Sequence, residues 1–200
     1  MEFSKAKKIS KYFSEYEVFN SDRANLLGID NGVTDPTILA NIANGSANLD
    51  AVREAIGLPI KVNSWFRSKA LNNVTPNSSN TSQHMKGEAI DVDLYPSDNM
   101  NNKDLAGVIS KGNFDQMILY IDKKGGTPRF VHVSYKRDSE KNRNNILVKQ
   151  KGVSGYQVYN EDTHGKLIRI KPQFKDVVLK IALGVGLVGI LAYIVAKLKK

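Results

Sequence analysis

An α+β fold is predicted for this 200-residue chain, on three observations. Asp35-Pro36 announces a long helix, with a capping carboxylate ahead of a proline at the first helical position, and Gly57 ends it. Runs with strand character then follow at residues 60–64, 89–94, 116–122 and around His132. The last two are joined through Lys123-Lys124-Gly125-Gly126, which predicts an antiparallel hairpin at the centre of an antiparallel sheet with flanking helices. Residues 181–196 carry no charge, and with 177–180 they predict a C-terminal transmembrane helix over 177–197. About 20 residues rising 1.5 Å each span roughly 30 Å, one bilayer core.

The elements follow in order. Residues 1–8 are positively charged with no apolar run behind them, so they do not read as a secretory signal peptide. Tyr12, Phe13, Tyr16 and Phe19 anchor a short irregular or helical lead. Ser21 caps a helix over 22–27 that stops at Gly28. The long helix runs to about Ile56, with an interruption expected near Gly45. Its Ile38, Leu39, Ile42, Ala43, Leu49, Val52 and Ile56 are spaced to face a core. Residues 72–81 are small, polar and turn-rich and read as a surface loop. A helix over 100–110 ends at Gly112, and 146–148 form a last strand. Four segments result: a domain over 1–150, a basic connector over 151–176, the apolar span, and a lysine end at 198–200. Within the connector, 156–159 and 167–170 suit a hairpin about a turn at 161–165.

The net charge of +9 is unevenly placed. Residues 1–135 hold 15 basic and 15 acidic side chains, whereas 136–200 hold 14 and 5. A neutral domain with a basic tail points to an anionic surface as partner, and the adjoining apolar span makes that surface a lipid bilayer. Nucleic acid is not expected, because the basic residues lack interleaved aromatics or a recognisable binding module. Absence of cysteine excludes disulfides and thiolate metal ligation. Gly184-Val185-Gly186-Leu187-Val188-Gly189 fits a dinucleotide-binding pattern by letters only, since no strand precedes it and it lies inside the apolar span. Small residues there suit helix packing better.

Chemistry concentrates in Ser82-Gln83-His84-Met85-Lys86-Gly87-Glu88-Ala89-Ile90-Asp91. Imidazole and carboxylate together suit Zn²⁺, which takes N and O donors at about 2.0–2.2 Å. Gly87 lets the backbone turn sharply before a strand carries Asp91 back towards His84. A third donor is needed, and of the three histidines His132 lies in an apolar strand-like run. The set His84, Asp91 and His132 would leave a fourth zinc position open to water.

These residues carry a resemblance. Ser82, His84, Gly87, Ala89 and Asp91 match the Ser-x-His-x-x-Gly-x-Ala-x-Asp pattern of the zinc D-alanyl-D-alanine carboxypeptidase and L-alanyl-D-glutamate endopeptidase family. Val62 to Ser68, with Arg67, looks like that family's strand-plus-arginine element, and Phe130 to Ser134 is similar to its last ligand strand. The resemblance covers roughly residues 10–148 and is greatest to small phage-borne members. It implies the hedgehog/DD-peptidase fold, bound zinc, and hydrolysis of amide bonds in peptidoglycan stem peptides. It further implies that Arg67 holds substrate or the tetrahedral oxyanion, and that Ser82 and Gln116 contact substrate or order the site.

One place departs from the pattern. Many relatives carry Glu or Asp three residues before the last histidine, where this chain has Arg129. Phage members tend to have a glutamate four residues after Phe-Asp-Gln; Phe114-Asp115-Gln116 is kept, but Tyr120 occupies the glutamate place. Asp122 and Asp115 remain as alternatives for the base, and each equally suits an ordinary hairpin carboxylate. Two functions therefore stay open: a membrane-anchored phage peptidase acting as a virion component or at lysis, with other virion proteins as partners, or a non-catalytic peptidoglycan-binding virion or envelope protein on the same fold. Either is expected in a virion membrane or host envelope, facing peptidoglycan.

Overall fold

The computed structural model describes residues 2–95 and 100–167. The expected transmembrane span, its glycine pattern and the lysine end lie outside them. Among the described residues no helix is long and apolar enough to cross a membrane.

A six-stranded sheet organises the domain. Its strands are β1 (Ile60–Ser64), β2 (Ala89–Leu94), β3 (Gln116–Ile121), β4 (Phe130–Ser134), β5 (Asn145–Gln150) and β6 (Gln157–Val158). They lie side by side in the order β1-β2-β4-β3-β5-β6. The expected hairpin is present, β3 pairing antiparallel with β4. The sheet is not antiparallel throughout, because β5 pairs parallel with β3. The cause is connectivity: after β4 the chain passes the end of β3 through residues 135–144 and starts β5 level with Gln116, so β5 must run in the direction of β3.

Alternation along the strands divides the sheet into two chemically different faces. Ile90, Val92, Met117, Leu119, Val131 and Val133 are buried on one face. There they join the core formed with α3 (Pro36–Ile56) and α5 (Asn102–Ile109), whose Ile42, Leu49, Val52, Leu105 and Ile109 are almost inaccessible. Fully burying each such aliphatic side chain contributes roughly 1.5–3 kcal/mol. The other face carries Asp91, Gln116, Ile118, Tyr120 and His132 and lines a cleft.

Local signals explain most boundaries. Asp35 caps α3 by accepting from the amides of Thr37 and Ile38, and Gly57 closes it in the left-handed conformation. The interruption expected at Gly45 does not occur. A Cβ there would lie 3.4 Å from both Trp65 and Ile90, so the glycine lets the sheet and the Trp65 ring approach an unbroken helix. Leu39 and Ala43 turn outwards, while Asn41, Ser46 and Asp50 are buried in their stead. Asp50 is buried because it anchors the N-terminal lead, accepting from Ser10 Oγ, Lys11 N and Tyr12 N. That lead contains α1 (Glu15–Phe19), and Ser21 caps α2 (Asp22–Leu27) as expected.

Further local features differ from expectation. The first residues of the 72–81 loop belong to α4 (Lys69–Val74), which Ser68 caps. The helix expected over 100–110 is the shorter α5, with Asn101 as its cap and Asp104 completing a capping box. In the connector, β6 pairs antiparallel with β5 rather than with a later strand. The turn expected at 161–165 is a short helix, α6 (Glu161–His164), which Asn160 caps. Residues 168–170 of the expected hairpin lie outside the described residues.

Candidate metal centre

The register of the sheet assembles the site. Asp91 of β2 faces His132 of β4, and His132 faces Ile118 of β3, so these three side chains stand in a row on the polar face. His84 arrives from a 3₁₀ turn, Gln83–Lys86, packed against the start of β2. Ser82 caps that turn, its Oγ accepting from His84 N at 3.3 Å. Gly87 leaves the turn at φ +71°, and any Cβ there would meet Ile42 Cγ1 at 2.8 Å and Ile38 O at 3.0 Å. Only glycine satisfies both demands.

The three expected ligands converge. Among the described residues they form one His-Asp-His group whose donor atoms all lie within 4.8 Å of one another. His84 Nε2 is 3.4 Å from Asp91 Oδ1, and His132 Nδ1 is 2.8 Å from the same oxygen. Donors on a tetrahedron with bonds of about 2.0–2.1 Å stand about 3.3–3.4 Å apart, so small side-chain rotations bring this set to zinc geometry. The tautomer of His84 follows from its partner. Nδ1 lies 2.6 Å from the carbonyl oxygen of Trp65 and must donate, which leaves the Nε2 lone pair facing the cleft.

Electrostatics agree with a metal site. Burial pushes the His84 pKa down, which keeps the ring in the neutral form that binds metals. Burial alone would raise the pKa of Asp91, but the adjacent imidazoles of His84 and His132 outweigh it and hold the carboxylate well below its ordinary range. Arg67 completes the group. Its Nη2 donates to Asp91 Oδ2 at 2.8 Å and sits 3.3 Å from His84 Nε2, while Nε donates to Ser64 Oγ. Asn31 holds the strap that carries Arg67. Its Nδ2 donates to Phe19 O and Phe66 O, and its Oδ1 accepts from Ser68 N.

The two carboxylates considered as base lie in different surroundings. Asp122 is exposed at the outer end of the β3–β4 hairpin, paired with Arg129, and is not among the residues lining the cleft. Asp115 lines the cleft but is fully buried, bound by Arg143 through two nitrogens and by Lys136. Burial would raise its pKa; hydrogen bonds from Arg143, Lys136 and Gln83 reverse this and hold it well below the carboxylate range. It is an anchor for two cations and a weak proton acceptor. Gln116 and Tyr120 line the same cleft, of about 540 Å³. Tyr120 lies flat on Phe130, with ring centroids 4.4 Å apart and planes 15° from parallel.

Several residues of the cleft wall were not singled out from sequence: Gln83, Glu88, Lys136, Arg143 and Tyr156. Alternation offered a signal for Lys136, since His132, Ser134 and Lys136 are spaced by two and extend one face. Tyr156 gave none, because it reaches the cleft only through the pairing of β6 with β5.

A buried aspartate and two histidines, with an arginine beside them and an open cleft above, form a candidate mononuclear metal site. The chain belongs to the peptidase M15 family, whose model matches residues 11–134, more than half of its length. Zinc is the metal of that family, and His84, Asp91 and His132 are the residues here that would hold it. No curated protein matches the sequence significantly.

Proposed function

We propose that this protein is a zinc peptidase that hydrolyses amide bonds in peptidoglycan stem peptides, as a phage virion or lysis enzyme tethered to a membrane by residues 177–197. The convergence of His84, Asp91 and His132 beneath Arg67 in one cleft carries the peptidase reading. The uncharged run at 181–196 and the basic character of 136–200 support the tether, and resemblance to phage-borne relatives supports the setting.

Bound zinc would polarise the scissile carbonyl and lower the pKa of water to near 7. The chain's own groups do the rest. The Trp65 carbonyl fixes the His84 ring, and Arg67 offers guanidinium donors to substrate. Ser82, Asn77 and Ser79 form a polar rim suited to a peptide backbone.

The test is release of stem peptides from purified peptidoglycan by the full chain in detergent, with and without chelator. Release that stops on chelation, returns with zinc and is absent from His84→Ala supports the proposal. Purified protein that binds no zinc would sink it. Tyr120 in the glutamate place favours a second reading, a non-catalytic peptidoglycan binder. That reading expects zinc uptake and sedimentation with peptidoglycan, without release.

A further inference from the structure

No free carboxylate among the described residues stands beside the ligands in the cleft. Among the described residues lining it, Asp91 belongs to the metal group, Asp115 is tied to Arg143 and Lys136, and Glu88 accepts from Gln83 Nε2 at 3.1 Å. A different polar group stands at the other end. Tyr120 is two residues along β3 from Ile118, the cross-strand neighbour of His132, and points to the same face. Two residues of strand place it about 7 Å from that row. Its ring is stacked on Phe130, which lies two residues before His132 on β4, so one strand orients both the metal ligand and the phenol.

Tyr156 comes from beyond the family match. It is held by β6, which pairs Leu147 with Val158 and Val148 with Gln157. Lys149 fastens the turn before it, with Nζ donating to Val153 O at 2.8 Å and Gly155 O at 3.0 Å and lying 5.5 Å from the Tyr156 ring. Tyr120 and Tyr156 line the same cleft as Asp91 and Arg67. A hydroxyl has one proton and two lone pairs. The phenol of Tyr120 therefore has a proton to offer to a group bound in the cleft.

We propose that Tyr120 donates a hydrogen bond to the substrate carbonyl oxygen as it becomes an oxyanion. This rests on the peptidase reading above. As the oxygen of water bonds to the carbonyl carbon, the π pair moves onto the carbonyl oxygen, where Tyr120 and Arg67 meet it. The C–N bond then breaks, the proton released by water goes to the leaving amine, and the Tyr120 proton stays on Tyr120 throughout.

The experiment compares zinc-loaded full-length protein in detergent with Tyr120→Phe and Tyr156→Phe, which keep the rings. Three readouts are taken: stem-peptide hydrolysis, zinc affinity by chelator competition, and calorimetric binding of a stem-peptide phosphinate, whose tetrahedral anion mimics the oxyanion. Removing one such donor costs on the order of 10²-fold in kcat. Tyr120→Phe should lose that factor with KM and zinc affinity unchanged, and phosphinate affinity should fall in parallel; Tyr156→Phe should lose less of each. Unchanged kcat and phosphinate affinity in Tyr120→Phe would overturn the assignment while leaving the peptidase reading intact. Zinc-loaded wild type that releases nothing and ignores the phosphinate would sink both.

Discussion

Asp115 tests the electrostatic logic of the domain most directly. It is fully buried, yet it is surrounded by Arg143 Nη2 at 2.6 Å, Arg143 Nε at 2.9 Å, Lys136 Nζ at 2.9 Å and Gln83 Nε2 at 2.9 Å. Through these contacts it ties the chain before β3, the 136–143 connection and the turn that presents His84. Replacing Asp115 by Ala strands these donors. Breaking a buried ion pair from one side costs about 3–5 kcal/mol. The lower end applies here, because the side chains of Arg143 and Lys136 are 46% and 31% exposed and can regain water. With a urea slope of about 2 kcal/mol per molar, a loss of ~3 kcal/mol lowers the unfolding midpoint by roughly 1.5 M. The pH dependence gives an independent check. The folded carboxyl has a depressed pKa, so its contribution is complete above the unfolded value of about 3.9 and is lost as pH falls from there towards the folded value. Wild type should therefore lose stability more steeply than Asp115→Asn as pH drops below about 4. A midpoint change in Asp115→Ala worth under about 1 kcal/mol, the scale of a surface pair, would refute the reasoning.

Gly87→Ala should destabilise the protein by about 2–5 kcal/mol, combining left-handed strain with the clash against Ile42 and Ile38. Because that turn presents His84, chelator competition should also show weakened zinc binding; a variant with normal stability would refute the packing argument. Asn31→Ala removes three hydrogen bonds that fasten the Arg67 strap, and a loss of about 2–4 kcal/mol is expected by urea unfolding. Zinc at a hundred times its dissociation constant should add about 2.7 kcal/mol, raising the melting temperature by roughly 5–10 °C over chelated protein. No shift on chelation would count against the His-Asp-His site.

Local chemistry was legible in the sequence wherever it acts through neighbours along the chain. Asp35-Pro36 and Gly57 bounded α3, and Ser21 and Gly28 bounded α2. The candidate donor group was equally legible, since a metal demands particular donors and few residues could supply them: the chain has three histidines and no cysteine. What the sequence could not decide depends on partners distant along the chain. Asp122 and Asp115 read alike as hairpin carboxylates, and only packing exposed the first and surrounded the second with Arg143 and Lys136. Gly45 read as a break because propensity sees a missing side chain, whereas the fold places Trp65 and Ile90 in that space. Tyr156 and the parallel β3–β5 pairing were likewise settled by the route of the chain past β4. Capping, turn and ligand signals act over a few residues and so are written locally. Burial, ion pairing and strand order are properties of the assembled surfaces, and they exist only once those surfaces meet.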